Sequence, residues 1–99
     1  MKRSQHSYGG SLVARKRFTH LQGQYLAFIH AYTRIHGVPP AEADLQRFFG
    51  VTPPSVHDMI VRLHTLGLIS RSPGAARSIR IRVPEQEIPV LDPSPRHGR

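Results

Sequence analysis

One segment, Gly50 to Ile69, constrains the fold of this 99-residue chain more than any other. It holds four apolar residues at the spacing of one helix face: Val56, Met59, Ile60 and Leu63. Thr52 is suited to cap such a helix, and Pro53 to its first turn, where a missing amide costs nothing. We therefore expect a helix from Pro53 to about Leu66, ended by Gly67.

Two further helices are predicted upstream of this segment. Thr19 followed three residues later by Gln22 is a capping-box pattern, and apolar residues recur nearby at helical spacing: Leu21, Tyr25, Phe28, Ile29 and Tyr32. This first helix should end near His36, because Gly37 suits a C-cap. A short second helix is expected over Glu42–Phe49, with aromatic residues on its buried side. The spacing of the aromatic residues favours the core over base stacking.

A β-hairpin pattern follows the third predicted helix. Leu68–Arg71 reads as one strand and Ser72–Ala76 as a turn. In Ser78–Val83, apolar and polar residues alternate, the period of a strand with one buried face. The chain is therefore expected to be mainly α with a small β-hairpin, the plan of a three-helix winged helix-turn-helix.

The same patterns divide the chain into three parts. Residues 1–17 mix Ser, Gly, His and cations, which predicts a flexible basic arm. The folded domain is expected at residues 18–83, and the four prolines in residues 84–99 predict an extended, Pro-rich tail.

Positive charge is concentrated in two blocks. The chain has 14 Lys and Arg against 6 Asp and Glu; no acid precedes Glu42, and none occurs from Met59 to Pro84. Such a field attracts polyanions, with nucleic acid as the first partner to consider and anionic membrane as the second. The alternative is that the charge serves only solubility. The absence of cysteine excludes disulfides, and no apolar run is long enough for a signal peptide or a membrane span, which favours a cytoplasmic protein.

Other chemistry finds little support in the sequence. His57 and His64 lie two turns apart on the third helix, too far for one zinc ion, so no metal site is expected. Ser55, His57 and Asp58 are the residue types of a hydrolase triad, but close neighbours on one helix do not face one another. We expect no enzyme, no cofactor and no small-molecule ligand.

Four stretches of the chain resemble the DNA-binding domain of the LexA repressor family. They are FTHLQGQYLAFIHAYTRIHGVPP, AEADLQRFFGV, SVHDMIVRLHTLGLI and GAARSIRI, and together they span most of residues 18–83. The resemblance implies sequence-specific binding of double-stranded DNA by a bacterial transcriptional regulator, namely a repressor. The third helix would enter the major groove, and the basic wing and arm would lie on the DNA backbone.

The resemblance also implies which residues touch DNA. The base-reading positions of the third helix would be Thr52, Pro54, Ser55, His57 and Asp58. Arg62 would reach the backbone, and Arg77 at the wing turn would contact phosphate or the minor groove. Electrostatic affinity would come from the remaining cations of the wing and arm: Arg80, Arg82, Arg15, Lys16 and Arg17.

Three departures from the family pattern change these expectations. Ala41 stands where a Thr N-cap usually opens the second helix, which should cost about 1 kcal/mol. Pro54, His57 and Asp58 differ from the usual base-reading residues, so we expect a different operator. Because the chain ends at Arg99, we do not expect the self-cleaving Ser/Lys peptidase domain of that family, nor its dimer surface.

A second function stays open from the sequence alone. A winged-helix scaffold can serve as an adaptor that docks a protein partner, with only non-specific contact to nucleic acid. Apolar Val61 on the outer face and the segment Ile88 to Leu91 favour that alternative. A homodimer or another protein partner is compatible with both functions.

Overall fold

Three helices and a two-stranded sheet make up the fold. A computed structural model describes residues 17–93 of the chain. Its elements are α1 (His20–His36), α2 (Glu42–Phe49), α3 (Pro53–Thr65), β1 (Ile69–Ser70), β2 (Arg80–Ile81) and a turn of 3-10 helix at Glu85–Glu87. The strands are antiparallel, and together with the turn between them and the two residues after β2 they form the wing (residues 69–83). The expected mainly α, three-helix winged helix-turn-helix is confirmed.

The bounds of α1 follow from local hydrogen bonds. Thr19 Oγ1 accepts from the Gln22 amide at 3.1 Å, and Gln22 Oε1 accepts from the Thr19 amide at 2.9 Å. This reciprocal pair satisfies two amides that a helix start otherwise leaves unbonded. At the other end Gly37 adopts a φ of 77°, and its amide donates to Thr33 O at 2.8 Å. Both predicted ends of α1 are confirmed.

The two shorter helices begin in different ways. Thr52 caps α3, because its Oγ1 accepts from the Ser55 amide at 3.3 Å. Ala41 gives α2 no side-chain cap, as its missing oxygen predicted. The carboxylate of Asp44 offsets part of that deficit, since its Oδ2 accepts from the Ala41 amide at 2.8 Å.

The core lies where the three helices meet the sheet. Val56, Ile60 and Leu63 of α3 are fully buried, while Met59 is half-buried at the edge of the same stripe. The rings of Tyr25 and Phe49 stack with centroids 4.2 Å apart, which joins α1 to α2. The aromatic residues therefore pack in and around the core, as their spacing predicted.

The buried face of α1 is wider than its apolar stripe. Leu21, one of the apolar residues at helical spacing, is 51% exposed, whereas Leu26 is completely buried. Gly23, Gln24 and Ala27 are buried as well, so another element must cover that side of α1.

The covering element on that side of α1 is the C-terminal segment (residues 84–93). Gln24 holds its backbone by two hydrogen bonds: Nε2 donates to Val90 O at 3.0 Å, and Oε1 accepts from the Asp92 amide at 2.7 Å. Pro89 lies against Gly23, where a Cβ atom would come within 3.0 Å of Pro89 Cγ. Ile88 packs against the core. The expected domain boundary at residue 83 stays a prediction, and the described part of the tail lies on the domain.

Candidate nucleic-acid interface

The first two turns of α3 form an exposed end of the domain. All five residues assigned to base reading are exposed there: Thr52, Pro54, Ser55, His57 and Asp58. Arg62, one turn beyond Asp58, is exposed too. The buried stripe of the same helix faces the core, so α3 offers its polar face and its N-terminal end to solvent. That is the end which a recognition helix presents to base edges.

Two hydroxyl groups at this end are already engaged. Besides capping the helix, Thr52 Oγ1 lies 3.0 Å from Ser55 Oγ, within hydrogen-bond distance. The pair fixes both side chains relative to the helix axis. Ser55 Oγ is the acceptor in this pair, so it keeps its own O–H group and a second acceptor site for an outside partner.

His57 is paired with an acid of the neighbouring helix. Its Nδ1 lies 3.6 Å from Oε2 of Glu42, and the two side chains are 54% and 35% exposed. A contact of this kind is too exposed to add much stability. It places the imidazole ring of α3 beside the first residue of α2.

The wing is closed by one serine side chain. Ser78 Oγ accepts from the Ser72 amide at 3.0 Å and donates to Ser72 O at 3.2 Å. In and around β2, Ile79 and Val83 are buried and Ile81 is half-buried, while Arg80 and Arg82 are exposed. The alternation predicted from the sequence is therefore present, and it directs both arginines to the solvent side of the wing.

Arg77 occupies a special position at the wing turn. It is the non-glycine residue with a positive φ, 55°, among the described residues. Its Nη1 donates to three acceptors of the domain body: Tyr32 Oη at 3.1 Å, Pro39 O at 3.2 Å and Asp44 Oδ2 at 3.3 Å. The guanidinium also lies 5.9 Å from the centre of the Tyr32 ring. This side chain thus fastens the wing to α1, to α2 and to the chain between them.

Asp44 is the acid at the centre of this network. Burial raises the pKa of its carboxyl. The Ala41 amide, the cations Arg77 and Arg47, and the Tyr32 hydroxyl together lower the pKa by more than burial raises it, so the pKa of Asp44 is below its usual value. The Asp44 side chain is only 10% exposed and also pairs with Arg47 Nη2 at 2.5 Å. It is therefore an ionised carboxylate held almost out of water by its partners.

The sequence did not predict that Asp44 of α2 contacts the wing. Its place three residues after Ala41 is a local signal for capping, and that signal was available. Its bond to Arg77 spans 33 positions of the chain, and nothing in the residue pattern indicates such a partner.

Of the three cations of the arm that were assigned to DNA contact, the structure describes one. Arg15 and Lys16 lie outside the described residues. Arg17 is described, and its Nη1 lies 3.7 Å from Oε1 of Glu87 in the C-terminal segment. The assignment of these three residues to DNA contact stays a prediction.

The described residues form neither a metal-binding cluster nor a membrane-spanning helix. Between residues 17 and 93, no three His, Asp or Glu side chains come together in a group that could hold a metal ion. No helix in that range is long and apolar enough to cross a membrane.

Comparison with known proteins identifies the family of this domain. The family model described as the LexA DNA binding domain matches residues 15–78. The chain is 36% identical over 78 residues to the LexA repressor of Thermosipho melanesiensis, covering 76% of this chain and 39% of that protein. It is 35% identical over 66 residues to the LexA repressor of Thermosipho africanus, covering 67% of this chain and 33% of that protein. The chain thus spans well under half the length of these curated relatives. Since the family model covers most of the described residues, the chain belongs to the family of LexA DNA-binding domains.

Proposed function

We propose that this domain binds double-stranded DNA at specific sequences, as part of a transcriptional regulator of the repressor type. In this proposal α3 enters the major groove, while the wing and the arm contact the backbone. The observation that carries it is the exposed N-terminal end of α3, with its five polar or small residues, on a domain of the LexA type.

The distribution of charge supports the same proposal. Arg62 on α3 and Arg80 and Arg82 on the wing are exposed, so three cations are available to phosphates beside the exposed end of α3. Asp58 is the acid on α3 itself, and a carboxylate in the major groove accepts from the amino group of cytosine. His57 is able to accept from or donate to a base, according to its protonation. The operator would therefore differ from the one that is usual in the family.

The direct experiment is selection from a pool of random duplexes with the full chain. We expect one enriched motif, and a palindromic motif would indicate that two copies bind together. Substitution of Ser55, His57 or Asp58 by Ala should change base preference by about 1–3 kcal/mol at single positions of that motif. A pool that stays random after repeated selection would contradict the proposal.

Salt dependence is an independent measurement of the same function. With about four phosphate contacts, affinity should fall roughly 100-fold between 50 mM and 200 mM salt. A binding constant that hardly changes over this range would exclude a phosphate-dominated interface.

An adaptor function has less support from the structure than from the sequence. Of the apolar features that favoured it, Val61 is 38% exposed, but Ile88 packs against the core. Capture of a protein partner without an enriched DNA motif would favour this alternative.

A further inference from the structure

Two kinds of contact hold the wing on the domain: Ile69 and Ile79 bury its base in the core, and the Arg77 side chain fastens its turn. Arg77 donates from Nη1 to Tyr32 on α1, to Pro39 between the helices and to Asp44 on α2. The left-handed backbone at Arg77, with φ of 55°, is costly for any residue with a Cβ atom. Such a conformation persists where surrounding contacts hold it, and these three acceptors are contacts of that kind.

Asp44 makes this anchor rigid. Its carboxylate lies in the first turn of α2, accepts from the Ala41 amide at 2.8 Å and is only 10% exposed. Because α2 packs on α3, a wing held by Asp44 is held in register with α3 as well. The two-stranded sheet pairs only Ile69 with Ile81 and Ser70 with Arg80, so its own ladder is short.

We propose that Asp44 is the positioning residue of the wing, which by holding Arg77 sets where the turn of the wing stands relative to α3 when DNA is bound. This inference rests on the proposed function. Arg77 then acts as an anchor, in place of the phosphate or minor-groove contact that the sequence suggested.

The sign of one substitution tests the proposal. Asp44→Asn keeps the shape of the side chain and an oxygen for the Ala41 amide, but removes the charge that holds Arg77. An acid that had no positioning role would only repel DNA, so its removal would strengthen binding. We expect the reverse, a loss of affinity of about fivefold or more for the selected duplex.

The matched control removes a charge elsewhere. Glu85 contacts Arg34 and His30 on α1 rather than the wing, so Glu85→Gln should leave affinity unchanged or raise it. All variants are compared at a temperature where circular dichroism shows them folded. Asp44→Asn binding as tightly as the wild type, or more tightly, would overturn the positioning role.

A second variant separates an anchor from a phosphate contact. Arg77→Ala should weaken binding without changing the slope of affinity against salt, whereas loss of a phosphate contact lowers that slope by about one. The double variant Asp44→Asn/Arg77→Ala should bind no more weakly than Arg77→Ala alone, because both changes break the same link. A slope lowered by one, or additive losses, would overturn the inference. A wild-type chain that binds no duplex would instead overturn the proposed function.

Discussion

Asp44 is a carboxylate that is both charged and almost fully covered. Carboxylates are seldom buried without partners, because the charged form loses its hydration. Here an amide, two guanidinium groups and a hydroxyl replace the lost water. The charge of this one residue is therefore part of the fold, and its protonation should be felt in stability.

The pH dependence of unfolding should show this contribution. The pKa of Asp44 is lower in the folded chain than the value of about 3.9 in an unfolded one. Its stabilisation is therefore present above about pH 4 and is lost as pH falls through the folded pKa. At pH 7, Asp44→Asn should lower the free energy of unfolding by about 1–3 kcal/mol.

The measurement is chemical denaturation of wild type and variant at several pH values. We expect the difference between them to shrink steadily below pH 4. Glu85→Gln is the matched control, since the Glu85 side chain is 65% exposed and should contribute little at any pH. A difference for Asp44→Asn that is the same at pH 7 and pH 3 would be inconsistent with an ionised Asp44.

Among the elements, α2 has the least complete start. Ala41 has the extended backbone of an N-cap, φ −85° and ψ 165°, but no side-chain oxygen to accept from the amides of the first turn. The Asp44 carboxylate supplies one half of a capping box, because it accepts from the Ala41 amide. The missing half is a defect that one substitution is able to repair.

Ala41→Ser should stabilise the domain by about 0.5–1 kcal/mol, because the serine oxygen would accept from the Asp44 amide. The matched control is Ala43→Ser, an exposed position inside the same helix, where serine should cost a few tenths of a kcal/mol. Thermal unfolding of the two variants measures the difference. If both changes destabilise alike, α2 gains nothing from a completed cap.

Elements were predictable from the sequence to the extent that local contacts define them. Thr19 with Gln22, Gly37 and Thr52 each act within four residues, and the helix ends they predicted are confirmed. The face of α1 was less predictable, because residues far along the chain decide which side of it is covered. Leu21 has the helical spacing of the buried apolar residues but is 51% exposed, and nothing in the pattern showed that residues 84–93 pack on α1 beside Gly23 and Gln24.

The candidate site also has one part that local sequence predicts and one part that it does not. Exposure of the predicted base-reading residues follows from the periodicity of α3, which places the apolar residues on the other face. The anchor of Arg77 on Asp44 joins two segments 33 positions apart, and only the folded chain brings them together.

On the scale of the whole molecule, the arginines of α1 and its start are paired with acids, whereas Arg80 and Arg82 of the wing are exposed. The C-terminal segment supplies three acids to Arg and His side chains of α1 and its start: Glu85 to Arg34 and His30, Glu87 to Arg17, and Asp92 to His20. On the wing, Arg80 and Arg82 are exposed beside a stretch of sequence without acids. Among the described residues, the field that attracts a polyanion should therefore come mainly from the wing and α3.

Salt titrations of DNA binding should resolve these two groups of cations. Arg80→Gln/Arg82→Gln should reduce the slope of affinity against salt by about two, one for each lost phosphate contact. Arg34→Gln removes a cation that is already paired with Glu85, and should leave the slope near the wild-type value. Equal effects of the two variants would mean that the charge acts without regard to its place on the surface.

The side chain of Gln24 has one further consequence. It donates to the carbonyl of residue 90 and accepts from the amide of residue 92, the pair of bonds that one residue of a parallel strand makes with its neighbour. A single carboxamide on a helix thus takes the place of one residue at a sheet edge. Gln24 holds the segment by backbone atoms alone, whereas Ile88 and Pro89 pack on the domain through their side chains. The side chain at Val90, 87% exposed, is accordingly free to vary, while a proline at position 92 would remove the amide on which the capture depends.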